Sequence, residues 1–157
     1  MIKHVIGDIF ESGADIICHQ VNCQGAMNSG VAKQVREKYP NVYTMYKQYC
    51  SSASGNTALL LGVAQSVFVP PSQYIVNLFA QDKYGYDGKC YTDYNAFRTC
   101  LQQLKLLMNH QIILGRTIAI PYLMGCHRGG GDWNTIYQII EEELGNYDVT
   151  LYEYSGG

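Results

Sequence analysis

From His19 to Lys33 the chain reads His-Gln-Val-Asn-Cys-Gln-Gly-Ala-Met-Asn-Ser-Gly-Val-Ala-Lys. The stretch starts inside an apolar run, residues 14–18, that reads as a buried strand, and it ends in residues 31–38, which read as a helix. Between them lies a loop of small and amide residues: Asn22, Gln24, Gly25, Asn28, Ser29 and Gly30. Such a junction can capture an anion. The first amides of a helix have no acceptor within it, and the helix dipole favours negative charge there. Glycines let a ligand approach the main chain. A second junction runs from Pro121 to Trp133 through Cys126-His127-Arg128-Gly129-Gly130-Gly131. Two such loops meeting at the carboxyl ends of strands suit a diphosphate. Neither has the Gly-x-Gly-x-x-Gly fingerprint with a later acid, or the Gly-Lys-Ser/Thr of a phosphate-binding P-loop. A dinucleotide-dependent dehydrogenase and a P-loop nucleotidase are therefore disfavoured.

Several side chains near these loops have two readings. His19 is either a hydrogen-bonded core histidine or a general acid or base for a sugar or terminal phosphate. Arg128 is a solvated charge or a phosphate clamp. Lys83, in a loop with Lys89, is solvated or catalytic. Asp8 can form an Asx turn after the first strand. Asn22 is a loop amide that needs partners. Trp133 reads as a core plug at a helix start. Cys18, His19, Cys23, Cys126 and His127 lack the paired Cys-x-x-Cys spacing of structural zinc, and adjacent strand residues face opposite ways. No metal and no other cofactor is expected.

The elements that must position these groups follow from pattern. Strands are expected at residues 3–6, 14–21, 58–69 (kinked at Gly62), 74–80, 117–121 and 148–154, with 58–69 and 74–80 forming an antiparallel pair. Helices are expected at 29–38, at 41–50 with Val42, Met45, Tyr46 and Tyr49 on one face, and at 94–109 with Phe97, Leu101, Leu104 and Met108 in a stripe. A last helix opens at Asp132-Trp133, with Ile136, Ile139, Ile140 and Leu144 as its core face. Alternating strands and helices imply an α/β fold with helices on both faces of a sheet. At 157 residues and 47% apolar content, one domain spanning 1–157 is expected. The net charge of −2 gives no bulk attraction for nucleic acid or an anionic membrane, so an anionic ligand must be held locally. Six scattered cysteines and the absence of a secretory or membrane-length segment point to free thiols in a cytoplasmic protein. The terminal Gly156-Gly157 reads as a frayed end with no mechanism.

Gly7-Asp8-Ile9 after the first strand, Val21-Asn22-Cys23-Gln24-Gly25, Ser29-Gly30-Val31-Ala32 and Pro121 leading into a Gly-Cys-x-x-Gly-Gly loop together resemble a macrodomain. The likeness covers nearly the whole chain in order. It leans toward the branch of ADP-ribose 1''-phosphate phosphatases and terminal ADP-ribose protein glycohydrolases. The resemblance implies a three-layer α/β/α sandwich with a mixed, about six-stranded sheet and a cleft for ADP-ribose. It implies that Asp8 accepts from the adenine amino group and that Ile9 donates its backbone N–H to the ring. The first loop, with Asn22, Gly25, Met27, Ser29, Gly30 and Val31, would border the distal ribose and one phosphate. The second, with Leu123, Gly125, Cys126, His127, Arg128, Gly129, Gly130 and Gly131, would wrap the diphosphate. The glycohydrolase branch uses a lysine after the strand at 74–80, where this chain has Ala80 or Gln81, and an acid where it has Gly129. The lysine–aspartate mechanism is therefore not carried over. The implied activity is hydrolysis at the 1'' position of ADP-ribose, from ADP-ribose 1''-phosphate or an ADP-ribosylated protein or nucleic acid. A non-catalytic ADP-ribose reader and a binder of another nucleotide stay open. A monomer without membrane contact is expected.

Overall fold

The computed structural model describes residues 2–154; Gly156-Gly157 lies outside the described residues. Six strands and four helices follow the chain as β1 (Ile2–Ile6), β2 (Ile16–Val21), α1 (Gly30–Lys38), α2 (Pro40–Ser52), β3 (Ala64–Val69), β4 (Gln73–Phe79), α3 (Tyr94–Asn109), β5 (Thr117–Pro121), α4 (Trp133–Leu144) and β6 (Asp148–Glu153). The sheet order is β1-β6-β5-β2-β4-β3. Every neighbouring pair is parallel except β3 with β4.

The apolar run of β2 is explained by its place at the centre. Ile16 and Cys18 face a core shared with Leu101 and Leu104 of α3 and Ile136 and Ile140 of α4. Ile17 and Val21 face the other core, with Val35 of α1 and Val42 and Tyr46 of α2. A strand covered on both faces has no polar side, so its sequence cannot alternate. The result is the three-layer sandwich with a mixed six-stranded sheet that the resemblance implied. The chain leaves β2 through α1 and α2 to the edge strand β3, turns back into β4 beside β2, and crosses through α3 to β5 on the other side of β2. That reversal is where open α/β sheets bind ligands.

Two expectations are corrected. Residues 58–69 do not form one kinked strand: Thr57–Leu60 is a 3-10 turn, Gly62 has φ +92°, and pairing begins at Ala64. Met45 does not share the core face of α2; it is 46% exposed, and Cys50 takes its place beside Val42 and Tyr46. A 3.6-residue period carries Met45 past the edge of the stripe that Val42, Tyr46 and Cys50 define. The helices at 94–109 and from Trp133 stand where expected, each opened by an aspartate whose carboxylate accepts from the third following amide, Asp93 from Ala96 N at 2.9 Å and Asp132 from Thr135 N at 3.0 Å. Removing the first cap leaves a helix amide unpaired. Asp93→Ala is expected to lower unfolding stability by about 1 kcal/mol, measured by urea denaturation.

Candidate functional site

All five parallel strands end on one edge of the sheet, and the loops leaving β2, β4 and β5 enclose a cleft there. Its volume is about 900 Å³ with the open mouth included. The first wall is the β2–α1 loop. The Asn22 side chain folds it: Oδ1 accepts from Gln24 N at 2.9 Å and Ala26 N at 3.3 Å, while Nδ2 donates to Ala26 O at 2.8 Å. The Tyr46 hydroxyl of α2 lies 2.7 Å from Asn22 O and 2.9 Å from its Oδ1. Cys23 N donates to Asp82 O at 2.9 Å, and Gln24 Nε2 donates to Asp82 Oδ1 at 2.9 Å, which ties the loop to the exit of β4. The loop then enters α1. Ser29 is its N-cap residue, yet its side chain makes no capping bond. Gly30, Val31 and Ala32 line the cleft at this uncapped end.

The second wall is the β5–α4 loop. Gly131 N and the Thr92 hydroxyl both donate to Gly125 O, at 2.8 and 2.9 Å, and Tyr91 N and Thr92 N both donate to Gly129 O, at 2.7 and 2.9 Å. The amides of His127, Arg128 and Gly129 have no acceptor among the described residues. At Gly130 φ is +65°, and a Cβ would stand 2.2 Å from Lys89 O, so only glycine fits. The sequence reading offered two helix N-termini to an anion; the structure leaves one. Asp132 caps α4 with its own carboxylate, which accepts from the Thr135 amide and repels negative charge.

A side-chain network joins the walls. Gln20, at the end of β2, donates from Nε2 to Gln81 Oε1 at 2.8 Å and Thr92 Oγ1 at 2.9 Å. Gln81 in turn donates to Lys83 O at 3.0 Å. The position where the glycohydrolase branch has a lysine is thus a buried amide with both ends engaged. Lys83 itself is exposed and not part of the cleft wall, because its carbonyl, not its ammonium, faces inward to Gln81.

His19 lines the cleft and is 1% exposed. Its protonation follows from a chain of amides. Met45 O can only accept, so Gln65 gives it Nε2 at 3.3 Å and turns Oε1 to Asn77 Nδ2 at 3.0 Å. Asn77 Oδ1 then faces His19 Nε2 at 2.6 Å, and Nε2 carries the proton. Nδ1 is a buried acceptor without a partner among the described residues. Burial pushes the imidazole down to about 4, against a smaller opposing effect of the Asn77 bond. At neutral pH the ring is then neutral, with its one proton on Nε2 held by Asn77 and Nδ1 left as an acceptor. Cysteine nucleophiles fare no better: burial pushes Cys23 up to about 12 and Cys126 up to about 11.

Of the residues assigned from sequence, Asn22, Ser29, Gly30, Val31, Leu123, Gly125, His127, Arg128 and Gly129 line the cleft with His19. Gly25, Met27, Cys126, Gly130 and Gly131 do not; they shape the loops from behind, Met27 being fully buried under α1. Asp8 and Ile9 also lie outside the cleft wall, at the end of β1. Asp8 Oδ1 accepts from Phe10 N at 2.9 Å, the Asx turn, and Ile9 N has no acceptor among the described residues. Sequence reasoning missed Gln20, Gln81, Tyr84, Tyr86 and Tyr122. Gln81, polar directly after the apolar β4, was the available signal. Among the described residues no aspartate, glutamate or lysine lines the cleft. Among the described residues no three of His, Cys, Asp or Glu gather as a metal site needs.

Comparison with known proteins agrees with this geometry, although no family model matches the chain. The chain is 31% identical over 127 residues to an ADP-ribose 1''-phosphate phosphatase of Scheffersomyces stipitis, covering 68% of this chain and 72% of that protein. It is 31% identical over 103 residues to the Debaryomyces hansenii phosphatase, covering 54% and 56%. It is 25% identical over 161 residues to a DNA ADP-ribosyl glycohydrolase of Mycobacterium tuberculosis, covering all of this chain but 43% of that protein. The chain thus spans about half the length of two of these relatives. Among solved structures, a Bacteroides thetaiotaomicron protein of unknown function superposes with TM-score 0.82 at 28% identity, covering 98% of both chains. The macrodomain of M. tuberculosis DarG gives 0.79 at 22%, covering 100% and 99%. Thermosipho africanus DarTG in complex with ADP-ribose gives 0.79 at 19%, covering 97% of this chain and 41% of that one. An α/β/α domain with its cleft at the strand ends is the class defined by fold and site. Within that class the chain belongs to the macrodomain family.

The buried histidine gives a pH signature. Its folded value, about 4, lies below the ordinary 6.5, so between these the unfolded chain binds the extra proton. Stability is then full above about pH 6.5 and falls as pH drops toward 4, by roughly 3 kcal/mol for this one group. His19→Gln is expected to flatten that part of the stability–pH curve, read by urea unfolding at several pH values from 7 to 4. A slope unchanged by the substitution would refute the assignment.

Proposed function

We propose that the protein binds ADP-ribose and hydrolyses the bond that joins a group to the 1'' position of its distal ribose. The observation that carries this is the cleft itself. Among the described residues its wall has no carboxylate, an α1 terminus without a side-chain cap on one side, and a loop with unpaired amides and Arg128 on the other. That set suits a diphosphate held by main-chain donors. The names of the relatives and the ADP-ribose in the DarTG complex support the same ligand. Asp8, at the end of β1, takes the adenine amino group, with Ile9 N on the ring. No helix among the described residues is long and apolar enough to cross a membrane. The free thiols of all six cysteines support a cytoplasmic setting, where the chain acts as a single-domain monomer.

In hydrolysis the oxygen of water bonds to the 1'' carbon, or to phosphorus when the group is phosphate. The bond to the leaving group breaks, and that group departs with the electron pair and a proton. The chain contributes orientation and amides that meet developing charge. His19 Nδ1, a buried imidazole acceptor without a partner among the described residues, orients the attacking water or a ribose hydroxyl. A reader without turnover is the second reading, favoured by the absence of lysine and carboxylate from the cleft wall.

Calorimetry with ADP-ribose, together with product release from ADP-ribose 1''-phosphate and from ADP-ribosylated substrates, decides between them. Binding with release is expected; binding by folded protein without release selects the reader. Asp8→Ala is expected to weaken ADP-ribose by about tenfold, the worth of a charge-assisted hydrogen bond, and to leave ribose 5-phosphate unaffected. Equal affinity for ADP-ribose in this variant rejects the placement of the adenine.

A further inference from the structure

The two edges of the sheet differ in how they meet solvent. At one edge, β1 carries Lys3 and His4, which reach Asp148 at 3.2 Å and Glu153 at 2.9 Å. Charges on an edge strand keep other strands from adding to it. At the other edge, β3 reads Ala-Gln-Ser-Val-Phe-Val, without a charge or a proline. Residues 41–80 around it contain a single charged side chain, Lys47, whose stem lies beside Gly25 of the first cleft loop. Bonded positions alternate along an antiparallel pair. Phe79 N donates to Val63 O at 3.0 Å, so Gln65, Val67 and Val69 turn their main-chain groups toward β4. Ala64, Ser66 and Phe68 turn theirs outward. The Ala64 amide is met there by the Gln103 side chain of α3. The N–H and C=O of Ser66 and Phe68 have no partner among the described residues. Phe68 is 47% exposed, its ring edge-on to Tyr74 with centroids 5.3 Å apart.

A row of unpaired main-chain groups is a template for another strand. The strand that fits must leave the Ala64 amide to Gln103 and bring no charge against an uncharged edge. A second copy of β3 meets both conditions. Set antiparallel about a two-fold axis at Val67, Ser66 faces Phe68 of the other copy, and Phe68 faces its Ser66. Each of these pairs exchanges two bonds, so every outward group of Ser66 and Phe68 is satisfied. The next outward-facing pair sets Ala64 against Pro70, which has no N–H to give, so the ladder ends where Gln103 already covers the edge. The two Phe68 rings become diagonal neighbours on one face, within reach of each other. We propose that β3 pairs antiparallel with β3 of a second copy through Ser66 and Phe68, joining the two sheets into one. Each chain has one bare edge, so the assembly closes at two. The parallel strands of the copies then run in opposite senses, and their clefts open on opposite edges of the joined sheet. Neither cleft takes a residue from the other copy, so the single chain remains the acting unit, and the pairing is independent of the ligand read for the cleft.

Sedimentation velocity over a concentration series, with hydrogen exchange of the 64–69 amides at each concentration, tests this. Half-formation of a dimer is expected near about 100 μM, the weak end for a small interface. Exchange at Ser66 and Phe68 should slow in step with the dimer fraction. Ser66→Pro removes one donor at an edge position that tolerates proline, and Phe68→Lys sets two cations diagonally across the seam. Each should weaken the dimer by about tenfold or more, while Ser66→Ala, which keeps the main-chain groups, should leave it within about twofold. Urea unfolding checks that the variants fold, and the exchange readout on wild type needs no variant. Added salt should change nothing, because no charge crosses the seam. A chain that stays monomeric up to about 1 mM overturns the proposal. So does assembly beyond two copies, association weakened by salt, or a dimer formed without protection of Ser66 and Phe68. A dimer that survives both Ser66→Pro and Phe68→Lys overturns it as well.

Discussion

A loop that binds an anion with its main chain must leave its amides unpaired, so something else has to hold it in shape. Here the carbonyls and side chains do so. In the second loop Gly125 O and Gly129 O each accept two bonds, while the amides of His127, Arg128 and Gly129 face no acceptor among the described residues. In the first, Asn22 satisfies Gln24 N and Ala26 N with one oxygen, and Asp82 O anchors Cys23 N from the next strand exit. In the second loop the donors are spared because its acceptors are saturated by groups outside the cleft wall, while in the first the amides of Cys23, Gln24 and Ala26 are themselves paired. That arrangement fixes the loops before any ligand arrives and lowers the ordering cost of binding.

The same constraint explains why polar side chains cluster at the ends of the central strands. Gln20 and His19 are consecutive on β2 and so belong to opposite faces of the sheet. On one face Gln20 bridges Gln81 and Thr92, and Thr92 reaches Gly125, so three strand exits move as one body. On the other, His19, Asn77 and Gln65 occupy paired positions on β2, β4 and β3 and run as a ladder to Met45 O. A buried ladder of neutral groups costs little when each donor meets an acceptor. Its one unpartnered atom among the described residues, Nδ1 of His19, is buried in a residue that lines the cleft.

What could be read from the sequence follows the range of the interactions concerned. The caps at Asp93 and Asp132 are decided within one helical turn, and the helix starts they define, at 94 and at Asp132-Trp133, were legible. The central place of β2 was legible because burial on two faces leaves an unbroken apolar run. Glycine and amide content marked both loops. The failures have a common cause. Met45 was read as core because a helical stripe has no sharp edge in sequence. Residues 58–69 were read as a strand because apolar content cannot distinguish a 3-10 turn from a strand start. Gln20, Gln81 and Tyr86 escaped because their roles depend on which strand exits become neighbours, and that is a property of topology. The free terminus of α4 was overestimated because Asp132 was read only as a helix signal, while its charge also closes that terminus to anions.

The composition of the cleft wall bears on how the chemistry can work. With Gln81 bonded at both ends and Asp132 committed to α4, neither a lysine nucleophile nor a carboxylate base is at hand. A neutral histidine pushed down to about 4 is a weak base, which leaves most of any rate enhancement to positioning and to the field of the free amides. Such catalysis suits a bond whose leaving group is already good, because little proton transfer is then needed at the moment of cleavage. On the proposed function, a wall of main-chain donors with only a weak base beside it depends on its substrate, more than on its own side chains, for the reactivity of the bond to be broken.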